Sequence, residues 1–176
     1  MLSFLLITLA SCGKNESKDV KPVMTPLDYN DAIISEQSKI INAMLDLSKA
    51  FEKADETNME DNLELLTKQA KSSIEALEKM EPFEGNNTLR ASAIALFEFY
   101  KSLSENEFDE IADILKKKSE ITGEDSNRMD ELNRSIVERE TVLDKNLSEA
   151  QHAFAAKYGF GIEKNKLQNK IDSLSK

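Results

Sequence analysis

Residues 25–54 read TPLDYNDAIISEQSKIINAMLDLSKAFEKA, and the pattern in this stretch decides the fold. Thr25 can cap a helix, Pro26 fits the first helical position where its missing N–H is harmless, and Asp28 supplies the reciprocal acidic partner. From there Ile33, Ile40, Met44, Leu47 and Phe51 fall on one helical face, with Ile34, Ile41 and Leu45 widening it. A stripe that broad is covered by more than one neighbour. The stretch therefore predicts a first helix, ending near Ala54, inside a bundle.

Working outward, glycine and proline outline the remaining helices. Pro22 and Pro26 precede or open the first one, Pro82 and Gly85 sit together, Gly123 stands alone, and Gly159 and Gly161 flank Phe160. Gly and Pro cost about 1 and 3 kcal/mol inside a helix, so their confinement marks the connections. Asp55-Glu56-Thr57-Asn58 interrupts the first pattern, and Thr57 with Glu60 predicts a second cap. The second helix, to about Met80, carries Met59, Leu63, Leu66, Ala70, Ile74 and Leu77 in phase.

After the turn at residues 81–86, a third helix is predicted over about 87–119. Leu89, Ala93, Leu96, Tyr100, Leu103, Ile111 and Ile114 keep a step near 100° per residue, and Phe97, Phe108 and Leu115 widen the face. The phase survives Ser104-Glu105-Asn106, which predicts one helix rather than two, although Glu107 and Lys118 fall in the apolar phase. A fourth helix, about 125–158, presents Met129, Leu132, Ile136, Leu143, Leu147, Ala150 and Phe154. Beyond Gly161, residues 162–176 form an amphipathic tail with Leu167, Ile171 and Leu174 together among lysines. No stretch alternates as a strand does, and no solenoid-type repeat is present. The expected fold is all-α: an antiparallel up-down four-helix bundle over residues 26–161, followed by a short tail or helix at 162–176.

The amino-terminal dozen residues carry a different message. Residues 2–10 form an almost unbroken apolar run, closed by small residues before a cysteine. It is too short for a bilayer-crossing helix of about 20 residues and has the length of a signal-peptide core. Leu9-Ala10-Ser11-Cys12 resembles the lipobox of bacterial lipoproteins. The resemblance implies that residues 1–11 are a cleaved signal, that the Cys12 thiol takes a diacylglyceryl group, and that Cys12 becomes the first mature residue. The lysine-rich start of such signals is missing, so a start codon further upstream is expected. Gly13 follows, not the aspartate that retains many lipoproteins in the inner membrane. The charged run Lys14, Glu16, Lys18 and Asp19 resembles the surface-export signals of some Gram-negative lipoproteins. These resemblances imply an envelope location, with outer membrane or cell surface favoured over inner membrane. Residues 12–25 are then the lipidated cysteine and a flexible tether. The overall arrangement looks like that of small helical surface lipoproteins of bacteria, a group of uncharacterised function. Asn86-Asn87-Thr88 matches a glycosylation sequon, a coincidence in a bacterial chain.

Charge narrows the partners. A formal net charge of −10, with no basic stripe, opposes nucleic-acid phosphates and opposes a body lying flat on anionic lipid. Membrane contact is expected through the anchor on Cys12. Cys12 is the sole cysteine, so its lipidation leaves no thiol for a disulfide, a metal site or nucleophilic catalysis.

Two constellations invite a chemical reading. Glu149-Ala150-Gln151-His152 resembles half of the di-iron signature of ferritin-like bundles, which needs two such motifs. His152 is the only histidine, and its phase lies nearly opposite Leu143, Leu147, Ala150 and Phe154, so a solvated histidine and no metal or other cofactor are expected. The second is Asn30, Gln37, Met44 and Phe51, spaced by seven down the apolar stripe. Buried amides need partners. In an antiparallel bundle Gln37 lies roughly level with Tyr100 and Asn146, with Gln69 at the edge. Asn30, Gln37, Tyr100 and Asn146 are thus candidate ligand-binding residues, or else a polar layer that fixes helix register, the favoured reading. Tyr158-Gly159-Phe160-Gly161 is expected to stop a helix and close the core with its rings. No phosphate-binding loop, zinc-protease motif or nucleophile elbow appears.

The function expected from these residues is a non-enzymatic interaction or structural module of the bacterial envelope, with an unknown envelope or extracellular protein as partner. The alternative is a small-ligand-binding bundle with a polar interhelical site near Gln37.

Overall fold

Thr25 caps the first helix as its sequence predicts. Its hydroxyl accepts from the Asp28 amide at 3.1 Å, and the Asp28 carboxylate accepts from the Thr25 amide at 3.1 Å, closing a capping box. The structure, a computed structural model, describes residues 24–162. The signal segment 1–11, Cys12, nearly all of the tether and the C-terminal segment after Ile162 lie outside the described residues. Within them the chain is an all-α helical bundle of α1 (Pro26–Lys53), α2 (Glu56–Glu78), α3 (Thr88–Glu105), α4 (Glu107–Lys116) and α5 (Gly123–Tyr158). A 3-10 turn, Lys118–Glu120, precedes α5.

α1 ends one residue before Ala54, which takes the left-handed conformation (φ 46°) and returns its N–H to the Ala50 and Phe51 carbonyls. The cap of α2 differs from expectation. Asp55, not Thr57, is the N-cap, accepting from the Asn58 amide at 3.3 Å, and Thr57 lies inside the helix. Aspartate caps at least as well as threonine. The left-handed turn at Ala54 delivers the chain directly to Asp55, so the helix starts two residues sooner.

The predicted third helix is two. At Asn106 the backbone leaves the helical region (φ −139°, ψ −85°). Its side-chain amide donates to the Ser102 carbonyl at 2.8 Å, the acceptor that a continuous helix would give to the Asn106 N–H. That N–H turns instead to the Leu103 carbonyl at 3.3 Å. Asparagine competes with the helix ladder in this way. The apolar phase continues across the break, since Leu103, Ile111, Ala112 and Ile114 are all buried. Hydrophobic spacing alone therefore could not report it. α4 stops at Lys116, short of the expected Ser119, because Lys118 is left-handed (φ 50°).

α5 also begins earlier than predicted, at Gly123. Thr122 and Asp125 form a second capping box, with the Thr122 hydroxyl accepting from the Asp125 amide at 3.1 Å. The helix ends at Tyr158 as expected, with Gly159 at φ 74° supplying the left-handed stop.

One continuous core runs through the helices. Ile33, Ile40 and Leu47 come from α1, Leu66 and Leu77 from α2, Leu96, Phe97 and Leu103 from α3, and Ile136, Leu147 and Phe154 from α5. Burying one such side chain contributes about 1.5–3 kcal/mol, and together these positions hold the helices. At one end Tyr29, Phe83, Phe154, Tyr158 and Phe160 form a ring cluster. Its centroid separations include 5.3 Å for Tyr29–Phe83, 4.7 Å for Phe154–Tyr158 and 6.0 Å for Phe154–Phe160. Phe83 reaches it from a tight turn whose central residues, Glu84 and Gly85, both have positive φ. The rings of residues 158 and 160 do close the core.

Candidate functional site

The four residues singled out for a ligand site are not joined to one another. Asn30 is buried, and its carbonyl accepts from the Gln151 side chain at 2.9 Å while its amide donates to Asp31 at 3.1 Å. Tyr100 is buried and donates its hydroxyl to Glu140 at 2.8 Å. Burial first, then the charges of Glu140 and Asp144, pushes the Tyr100 phenol well above its ordinary range, so it stays a neutral donor. Gln37 is half-buried and Asn146 is exposed. Asn30 ties α1 to α5, and Tyr100 ties α3 to α5. These are satisfied bonds between helices, the chemistry of a register device.

Sequence reasoning missed a further pair of ties. The fully buried Ser73 donates to Glu36 at 2.8 Å and accepts from Gln69 at 3.0 Å, linking α2 to α1. Thr67 and Ser104 bond at 2.8 Å between α2 and α3. The signal was present: Ser73 lies between Ala70 and Leu77 in the inward phase, and Ser104 follows Leu103 on the same face. A small hydroxyl at an inward position asks for a partner across the interface.

Two surface hollows flank α5. One, of about 580 Å³, lies between α3 and α5 over Phe99, Val142 and Leu143, with Glu98 and Glu138 at its margin. Arg139 places its guanidinium 4.7 Å from the Phe99 ring centroid and pairs with Glu107. The other, of about 440 Å³, sits at the helix break and is polar. Glu110 there takes two bonds from Arg128, at 2.7 and 3.0 Å, which hold its carboxyl below the usual carboxylate range. Neither hollow has Asn30, Gln37, Tyr100 or Asn146 in its lining.

His152 is exposed, as its phase predicted, and Glu149 is exposed beside Lys145 at 3.7 Å. Among the described residues no three His, Cys, Asp or Glu side chains are grouped as metal ligands, and no helix is long and apolar enough to cross a membrane. No protein-family model, curated protein or solved structure matches the chain.

Proposed function

We propose that the chain is a bacterial envelope lipoprotein, held to a bilayer through lipid on Cys12, whose helical body serves as a non-enzymatic interaction or structural module. The observation that carries this reading is the apolar run of residues 2–10 closing on Leu9-Ala10-Ser11-Cys12. Residues 13–24 then separate the cysteine from a helix that Thr25 caps, and twelve residues span at most about 40 Å. The body would stand close to the surface. A single acyl chain holds only marginally, so two or three are needed for stable attachment. Gly13 in place of aspartate favours the outer membrane or cell surface.

The body's role follows from how its polar groups are used. Asn30, Tyr100, Ser73 and Ser104 are all bonded across helix pairs, which supports a scaffold more than a ligand chamber. The helices are proposed to alternate in direction along an acidic rod. In support, cross-helix pairs recede together from each connection: Met80 with Arg90 beside the turn and Thr67 with Ser104 far from it, then Glu110 with Arg128 and Tyr100 with Glu140. Intact-mass measurement of protein extracted from membranes tests the anchor. A mature chain beginning at Cys12 and carrying acyl mass is expected, and an unmodified Cys12 would defeat the proposal.

A further inference from the structure

Among the described residues, the hollow between α3 and α5 opens an apolar floor to solvent beside an acidic side chain, Glu138. Its floor is Phe99 and Leu143, and Val142 on its rim is 59% exposed. Arg139 is already engaged by Glu107 and stacked on Phe99, and Glu98 pairs with Lys101 at 3.4 Å, which among the described residues leaves Glu138 as the margin's net charge. A matching occupant has apolar side chains at helical spacing flanked by cations.

The chain carries such a segment after its last described residue. Residues 163–176 place Leu167, Ile171 and Leu174 together, with Lys164, Lys166, Lys170 and Lys176 against only Glu163 and Asp172. This stretch is net basic in a chain of net charge −10. Reach is adequate. Arg139 and Val142 lie 19 and 16 residues before Tyr158, or about 24–29 Å back along α5. Fourteen residues cover about 21 Å wholly helical and up to about 46 Å extended. The 24–29 Å to the hollow lies between those two lengths, so the segment reaches it. The chain also turns back on α5 at its exit, since Gly159 is left-handed and Phe160 packs on Phe154.

We propose that residues 163–176 fold back along α5 of the same molecule and lay Leu167, Ile171 and Leu174 over Phe99, Val142 and Leu143, with Lys166 or Lys170 beside Glu138. The segment covers the α3–α5 seam as an additional piece of the bundle. This inference is independent of the lipid anchor and stands or falls on its own.

The test is site-specific photocrosslinking in the purified full chain. Ile171 is replaced by p-benzoylphenylalanine, and the products are sized and mapped by mass spectrometry over a range of dilutions. The expected result is a monomer-sized, dilution-independent crosslink to residues 95–99 or 138–143. Val142→Glu, at an exposed rim position that leaves the core intact, is expected to lower its yield about tenfold by placing a carboxylate in the apolar contact. Circular dichroism confirms that the variant is folded. Crosslinks to other surfaces, no crosslink, or a dimer-sized product that fades on dilution would overturn the proposal, the last by assigning the hollow to a second copy. A yield unchanged by Val142→Glu would overturn it as well.

Discussion

Gln37 and Asn30 occupy equivalent places in the α1 stripe, yet the structure gives them different work. Asn30 receives the Gln151 amide at 2.9 Å, whereas Gln37, two turns further along the stripe, is half-buried. Asn30→Ala is expected to cost about 1–2 kcal/mol, because the Gln151 amide loses its acceptor in a partly buried seam. Gln37→Leu is expected to change stability by less than about 0.5 kcal/mol. Urea unfolding of the two variants reads the difference directly, and a large loss at Gln37 would revive the interhelical ligand site. The caps offer a second residue-scale test. Thr122→Ala removes the hydroxyl that accepts from Asp125 and is expected to cost about 0.5–2 kcal/mol. Asp125 adds a pH signature. The Lys117 ammonium, followed by the Thr122 amide and hydroxyl, lowers its carboxyl to about 2 from an ordinary 3.8. A depressed carboxylate stabilises the fold above the unfolded value and loses that contribution as pH falls through the folded one. The stability gap between the parent chain and Asp125→Asn is therefore expected to be full at pH 5 and to close between about pH 4 and pH 2. Denaturant midpoints across that range check it, and a gap that widened in acid would contradict the assignment.

At the scale of the element, the break between α3 and α4 is the most informative feature. It is pinned from outside as well as by Asn106, because Glu107 of α4 pairs with Arg139 of α5 while its other carboxylate oxygen is buried with no partner among the described residues. Arg139→Ala strips the partner from a carboxylate only 18% exposed. The expected loss is about 1–3 kcal/mol, with faster amide exchange concentrated in α4. Exchange spread evenly over the bundle would contradict the pinning. This element also shows what the sequence could and could not disclose. Apolar spacing located the helical rods and most of the core, and it placed His152 on the outside, because burial and the 3.6-residue period are properties of the chain's own pattern. The break was silent because the inward phase runs through it, and the decisive event is one side-chain amide competing for the Ser102 carbonyl. The expected grouping of Gln37 with Tyr100 and Asn146 fails for a related reason, since Tyr100 bonds Glu140 instead. Level along the bundle is set by where each rod starts, and a shift of about one and a half turns exchanges Asn146 for Gln151 or Glu140. Thr122 and Asp125 have the spacing of a capping box, but the glycine between them, Gly123, reads as a break in the pattern.

For the whole molecule, the body's stability resides in the shared core. Leu96→Ala, at a position with no exposed surface among α3 residues facing the other helices, is expected to cost about 2–5 kcal/mol. The exposed ion pairs that cover the surface, such as Lys68–Glu64 and Lys49–Asp46, are worth little each, so raising salt is expected to leave the unfolding midpoint nearly unchanged. The role proposed for that body depends on where it is held, and this rests on one atom, the Cys12 sulfur. The most direct measurement is fractionation of bacterial cells expressing the parent chain and Cys12→Ala side by side, each with its membrane and released fractions quantified. The account predicts that the parent chain stays with membranes through high-salt washing while Cys12→Ala appears in the released fraction. Membrane retention of Cys12→Ala equal to the parent's would contradict it.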